Sequence, residues 1–508
     1  MKLLKNTRKK VVTLAVASAL GGVAMMSAPA HAINVAQDGK GEVLLFPYYT
    51  VKNGFDTLLS VTNTSDKTVL FKIRFREALN SREVRDFNVA LSPHDVWTAG
   101  VTVDSTGSGA LVRTFDKSCT SPALPAGPSG STEKDFTSIG YDGTDAAYPY
   151  DNGGKSLTRV QEGYIEIIEM AISTIPESSI GSTAAVEYNT QHVSGVPRNC
   201  AVFNDAFKNA ANLTNGVSGS GVFSTFTAPA NVLVGNATLI NVANGVAFDA
   251  TPTAIQSFAD LNTIIFVPGG DLPTLANGDN FNANFIVDGA PVAATVTPAD
   301  VAPSVDAVST VLMASNVINE YASGGTQTSG AKTDWIVTFP TKHYYTDGLG
   351  TITTVAFPPF TEAFTPTGSS CDSISMSIFD REEKTIINVA DNDFSPVPTG
   401  PGGVKLCSEV NVLTFTNSES PLSALGKLPQ TPDNPTGDKN MLAVNTSAAG
   451  SSGWARLTFT ETTAVLQGFV GLPAIGFSAI SRENSAEAGN NRNYGSGSEH
   501  ARTVQVVN

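Results

Sequence analysis

The stretch VLFKIRFR, residues 69–76, decides the fold class. Val69, Phe71, Ile73 and Phe75 alternate with Leu70, Lys72, Arg74 and Arg76. A two-residue period puts an apolar face and a mostly charged face on one strand. Thr64-Ser65-Asp66-Lys67 supplies the turn before it. Phe87, Val89 and Leu91 repeat the alternation, Ser92-Pro93-His94-Asp95 turns the chain, and Trp97, Ala99, Val101 and Val103 resume it. Short strands at close spacing with turn signals between them predict a sandwich rather than βαβ units. Upstream, 43–51 is strand-like but holds Pro47, which cannot donate to a ladder and so predicts an edge strand or a bend.

Further along, GYIEIIEMAI (163–172) reads as a strand, 201–212 as a short helix, and 306–321 as the best helix, stopped by Gly324-Gly325. Residues 117–155 read as a long loop. Strands return where Trp335, Val337 and Phe339 alternate and where Ile374, Met376 and Ile378 do, then over 410–415, 455–459 and 475–479. The polar stretch 481–499 predicts a flexible tail, ending in the strand-like TVQVVN of 503–508. That end pairs either with its own domain or with a neighbouring molecule's sheet. The class expected is therefore mainly β, a multi-domain β-sandwich of immunoglobulin-like type with a few short helices. Its parts are a signal peptide (1–32), an N-terminal β-sandwich region (33–115), a loop-rich β region with short helices (116–330), a C-terminal β region (331–480) and the tail (481–508).

The N-terminus predicts export. Lys2, Lys5, Arg8, Lys9 and Lys10 precede an apolar run that ends at Ala30-His31-Ala32, the small-residue pattern accepted by signal peptidase. Ser18, Gly21, Gly22 and Ser27 interrupt the run, which is shorter than the ~20 residues a membrane-spanning helix needs. No later segment is apolar for that length, so no transmembrane anchor is expected. Cleavage after Ala32 lowers Lys and Arg from 31 to 26 against 46 acidic residues, a net charge of −20. Such a surface repels phosphates, which argues against nucleic acid as a partner.

All four cysteines, Cys119, Cys200, Cys371 and Cys407, lie beyond the cleavage point. An even count in an oxidising compartment predicts two disulfides. Three pairings are open, of which the local one joins Cys119 to Cys200 and Cys371 to Cys407. No Cys or His spacing matches a zinc site.

Three stretches, NSREVRDFNVALSPHDVWTA (80–99), QEGYIEIIEM (161–170) and TDWIVTFPTKHYYTD (333–347), resemble an uncharacterised group of secreted, surface-type β-rich proteins of Gram-negative bacteria. The resemblance implies secretion and a cell-surface or extracellular role, with the periplasm as the alternative compartment. It brings no catalytic residues with it.

Motifs for chemistry are sparse. His94, His192, His343 and His500 show no metal-ligand spacing, and neither a nucleophile elbow nor a phosphate-binding glycine loop is present. Glu166 and Glu169 have an odd spacing that puts them on opposite faces of a strand. Asp380, Glu382 and Glu383 could serve a hydrolase or hold calcium, but a charged strand end in water is the commoner arrangement. Asp391 and Asp393 are the other calcium candidates. Tyr48, Tyr49, Tyr344 and Tyr345 could line a carbohydrate platform, but aromatics are ordinary strand residues and the core reading is favoured. No cofactor is expected. The leading expectation is a structural or interaction protein that binds itself or other surface components. A carbohydrate- or calcium-dependent binding module comes second, and a secreted hydrolase using carboxylates third.

Overall fold

The computed structural model describes residues 32–213, 219–287, 290–296, 301–326, 329–347, 356–364, 367–383, 385–387, 404–416, 423–430, 437–447, 450–459, 465–484 and 492–506. Residues 1–31 of the expected signal peptide (1–32), Asp391 and Asp393 lie outside them. The molecule is mainly β, with 47% of residues in strands.

The alternating stretch is the strand Lys67–Glu77, within an antiparallel sheet ordered Asn34–Val35, Thr253–Gln256, Val43–Thr50, Glu162–Pro176, Lys67–Glu77, Glu83–Leu91, Cys119–Ser121. A second sheet runs Val246–Asp249, Leu233–Asn241, Asp56–Asn63, Val96–Val103, Ala110–Thr114, Thr132–Asp135. The two pack face to face. Phe71, Ile73 and Phe75 meet the facing sheet's Val61, Trp97 and Leu239 in one apolar core. Burying each such side chain contributes about 2 kcal/mol, and the Phe87–Trp97 edge contact at 5.7 Å adds to it.

A second sandwich follows. Met441–Asn445, Val410–Thr416, Ser329–Thr338, Ile475–Asn484 and Arg492–Glu499 form one sheet, and Thr385–Ile387, Asp372–Asp380, Ser452–Thr458, Asn316–Ala322 and Ala501–Thr503 the other. Trp335 and Val337 point into the core between them, while the intervening Ile336 points into the core of the first sandwich. Residues 333–338 of strand Ser329–Thr338 are thus buried on both faces and join the sandwiches. Thr338 Oγ1 donates to the Pro47 carbonyl at 2.6 Å and the Tyr164 hydroxyl to the Pro340 carbonyl at 3.1 Å. The first sheet takes strands from both sides of residue 115, since Glu162–Pro176 lies between Val43–Thr50 and Lys67–Glu77.

Several segments differ from the sequence reading. Pro47 lies within the sheet rather than on its edge. The register with the neighbouring strand shifts between Gly163 and Ile165, and this bulge accommodates the missing donor. The expected helix over 306–321 is Pro303–Leu312, and Ile318 belongs to strand Asn316–Ala322, where β-branched and aromatic residues find a pleated surface. The helix expected over 201–212 ends at Ala206. Within 117–155 lie the strands Cys119–Ser121 and Thr132–Asp135. In the tail expected to be flexible, Arg492–Glu499 is a full antiparallel partner of Ile475–Asn484. Its glycines are structural: a Cβ on Gly495 or Gly497 would strike the carbonyl oxygen of Ala247 or Asp249 on the first sandwich. The following residues pair within the chain, Ala501–Thr503 with 316–318 and Gln505–Val506 with 469–470.

Candidate functional site: a charged cleft at the junction of the sandwiches

The charged face of strand Lys67–Glu77 is not in water. Lys72 and Arg74 have side chains only 1% exposed. Burial on this scale requires every charge to be paired and every N–H to find an acceptor. Cross-strand register sets Glu166 and Asp86 opposite Arg74, and Arg76 Nε donates to Glu166 at 2.7 Å. The remaining donors clip down a loop almost two hundred residues away. Lys72 Nζ donates to the carbonyls of Val267 (2.9 Å), Gly270 (3.0 Å) and Leu272 (2.5 Å), and Arg74 to those of Asp271 (2.7 Å) and Pro273 (2.8 Å).

The turn after this strand carries the next groups. Glu77 accepts the backbone N–H of Leu79 and Asn80 at 2.8 Å each and of Arg82 at 3.2 Å. This binding holds Ser81 at φ +54°, and the Ser81 carbonyl in turn accepts from Arg76. Arg82 and Asn80 thereby converge on Asp347, with Arg82 Nη2 2.8 Å and Asn80 Nδ2 2.9 Å from its Oδ2. On the opposite side the short helix Lys342–Thr346 presents His343 and Tyr344, whose rings touch in a tilted arrangement with centroids 4.0 Å apart. The Tyr344 hydroxyl accepts the Leu275 N–H at 3.1 Å and is also hydrogen-bonded to the Thr274 side chain.

Between these parts lies a cleft of about 610 Å³, lined among others by Arg76, Arg82, Arg85, Tyr148, His343 and Tyr344. Burial, and then Arg76, Arg82 and Arg74, hold the His343 imidazole well below its usual range. It is neutral, and its buried Nδ1 has no hydrogen-bond partner. Glu83 is pushed up to about 7, chiefly by burial and also by Asp86, against the lowering effect of Arg74. The cleft thus offers fixed cations, fixed carboxylates, a neutral imidazole and two phenols.

Of the residues singled out in the sequence, Tyr344 and His343 are in the cleft. Tyr48, Tyr49 and Tyr345 are core residues with their hydroxyls on Glu162 (2.9 Å), the Val160 carbonyl (3.1 Å) and Asp306 (2.6 Å). Glu166 belongs to the arginine cluster, whereas Glu169 accepts the Ala230 N–H at 3.0 Å elsewhere, so the two do not cooperate. Asp380 accepts the Glu382 N–H at 2.8 Å across an exposed turn, 381–383. His94 is exposed in its turn, His192 lies 3.4 Å from Asp95, and His500 lies against Trp335 with Nε2 on the Ile336 carbonyl at 3.0 Å. Among the described residues no three His, Cys, Asp or Glu side chains gather as a metal would require. The disulfides are Cys119–Cys200 and Cys371–Cys407. No described helix is long and apolar enough to cross a membrane.

The sequence did not mark Asn80 and Arg82 as site residues. The signal was the density of charge in the NSREVRD turn, in a chain only 15% charged. Comparison with protein-family models, curated proteins and solved structures gives no match to this chain.

Proposed function

We propose that this is an exported binding protein of the cell surface or extracellular space that holds an uncharged, polyhydroxylated ligand of the carbohydrate class in the Arg82–His343 cleft. The carrying observation is the pairing of Arg82 with Asp347 beside a neutral His343 whose Nδ1 has no hydrogen-bond partner. A charged ligand would have to break ion pairs already made. A polyol can instead bridge a fixed guanidinium and carboxylate with neighbouring hydroxyls and rest its apolar face on Tyr344 or Tyr148. The basic N-terminus, the A-x-A pattern and the two disulfides support export. Assembly through a donated C-terminal strand is less favoured, because residues 501–506 already pair within their own chain.

The test is thermal unfolding of residues 33–508 with glucose, galactose, N-acetylglucosamine and their oligosaccharides at millimolar concentration. A saturable rise in Tm that disappears in His343→Phe, with the unliganded Tm retained, supports the reading. No shift with any of these sugars, or an equal shift in the variant, overturns it.

A further inference from the structure

A second buried lysine has surroundings unlike those of Lys72. Lys342 opens the helix Lys342–Thr346, and its side chain is 1% exposed. Its Nζ donates to the Ser370 carbonyl at 2.6 Å. Otherwise it faces the rings of Phe339 and Phe360, each centroid 5.5 Å away, and the carboxylate of Asp372, whose Oδ2 lies at 3.0 Å. Asp372 is oriented through its other oxygen, which accepts the Thr361 N–H at 3.1 Å, while Oδ2 accepts no hydrogen bond. Lys72 likewise has a carboxylate close by, Asp86 at 2.9 Å, but is solvated by three backbone carbonyls where Lys342 has one.

A third group completes the set. Glu409 is buried, its Oε2 has no hydrogen-bond partner, and its backbone carbonyl accepts the Phe339 N–H at 2.8 Å. Burial holds its carboxyl well above the usual range, opposed by the nearby charge of Lys342. Position in the chain ties the acids together. Asp372 directly follows Cys371 and pairs with Leu406, and Glu409 stands two residues after Cys407, so the Cys371–Cys407 disulfide and that pairing keep their two segments adjacent.

We propose that Lys342 and Asp372 become joined by an intramolecular isopeptide bond, with Glu409 as the proton carrier. The reaction begins with transfer of a proton from Nζ to the carboxylate oxygen 3.0 Å away. The free amine then attacks Cγ of Asp372. The Nζ–Cγ bond forms, Glu409 relays the amine proton to a departing oxygen, and the Cγ–O bond breaks with release of one water. One ammonium and one carboxylate become one neutral amide, Glu409 is returned unchanged, and no oxidant or reductant is consumed. The product is a covalent tie between the helix and the strand Asp372–Asp380, in the same protein wall as the cleft but separate from its lining.

The test is the intact mass of exported wild-type protein after reduction and denaturation, followed by peptide mapping. The proposal expects a deficit of about 18 Da, one water lost to amide formation by the lysine, and a branched peptide linking Lys342 to Asp372. Lys342→Arg, which keeps the cation without the nucleophile, and Glu409→Gln should restore the full mass. Full mass in folded wild-type protein overturns the proposal, as does a deficit that maps to any other residue pair. A deficit that persists in folded Glu409→Gln overturns the role of Glu409.

Discussion

Replacing Glu42 by Gln should stabilise the protein, and by more as pH rises. Glu42 is fully buried. Its Oε2 accepts the Ala259 N–H at 2.7 Å and its Oε1 has no partner. Its cross-strand neighbour Glu169, whose N–H donates to the Glu42 carbonyl at 2.7 Å, also has one unpartnered oxygen. Burial pushes Glu42 up to about 8, helped by Asp260 and Asp279, and burial and Glu42 push Glu169 well above its usual range. The folded state therefore holds a proton that the unfolded chain releases near its ordinary value. Below that value both states are protonated and Glu42 carries no penalty. Between there and about 8, each pH unit removes about 1.4 kcal/mol of stability. From pH 5 to pH 7.5 the loss is about 3 kcal/mol on this slope. Gln keeps the acceptor for Ala259 and cannot ionise, so the variant escapes this loss. The assay is thermal unfolding of both proteins at the two pH values with disulfides intact. At roughly 2–4 °C per kcal/mol for cooperative units of this size, the Tm difference between variant and wild type should widen by roughly 10 °C at the higher pH. Titrating groups that do not interact with Glu42 cancel in that difference, whereas Glu169 loses the push that Glu42 gives it. An equal difference at both pH values would refute a proton held on Glu42.

Two further outcomes follow from the same structure. Gly497→Ala forces a Cβ against the Asp249 carbonyl and should cost about 1–3 kcal/mol as overpacking does, seen as faster proteolytic release of the segment after residue 484. Lys427→Met removes one of the two cations, at 2.6 Å each, that hold the buried Glu162 well below the usual carboxylate range. Breaking such a pair costs about 3–5 kcal/mol, and because that carboxylate's stabilisation is present at neutral pH and lost in acid, the deficit should shrink as pH falls below the ordinary Glu value.

Strand identity was legible because it depends on neighbours in sequence. Phe71, Ile73 and Phe75 alternate with charge whatever lies elsewhere, and the β class follows. What happens to that charge was not legible, because the acceptors for Lys72 and Arg74 are carbonyls of residues 267–273. No local pattern announces a covering loop so distant in the chain. The glycines of 495–497 misled for a related reason: glycine serves a flexible linker and a close backbone approach alike, and only the position of Ala247 and Asp249 distinguishes them. Helix 306–321 was overextended because Ile318 fits an apolar stripe of either period, and tertiary pairing decided. In the cleft, Tyr344 was visible as a candidate, but its partners Asn80 and Arg82 come from the other sandwich.

That origin bears on how the cleft could work. A binding site whose walls come from two different sandwiches is rigid only if each wall fixes its own groups. Here Arg82 is set by a turn in which Glu77 takes the backbone N–H groups of Leu79, Asn80 and Arg82. Glu77 is itself held by Arg159 Nη2 at 2.9 Å, and Arg159 is also bonded to Asp151. On the other side His343 and Tyr344 sit on a single helical turn, too short to be stable by itself. Its first residue is Lys342, tied to Asp372 beside the Cys371–Cys407 disulfide. The electrostatic clamp on one wall thus has its counterpart in the Lys342–Asp372 link on the other. A covalent bond at that point would fix the weaker wall, where ion pairing alone leaves a five-residue helix to hold two of the ligand-facing rings. Preorganisation of this kind raises affinity by lowering the ordering cost at binding rather than by adding contacts. The two proposals remain separable on that account: loss of the bond in Lys342→Arg should weaken ligand binding without abolishing it, whereas His343→Phe should abolish binding and leave the bond intact.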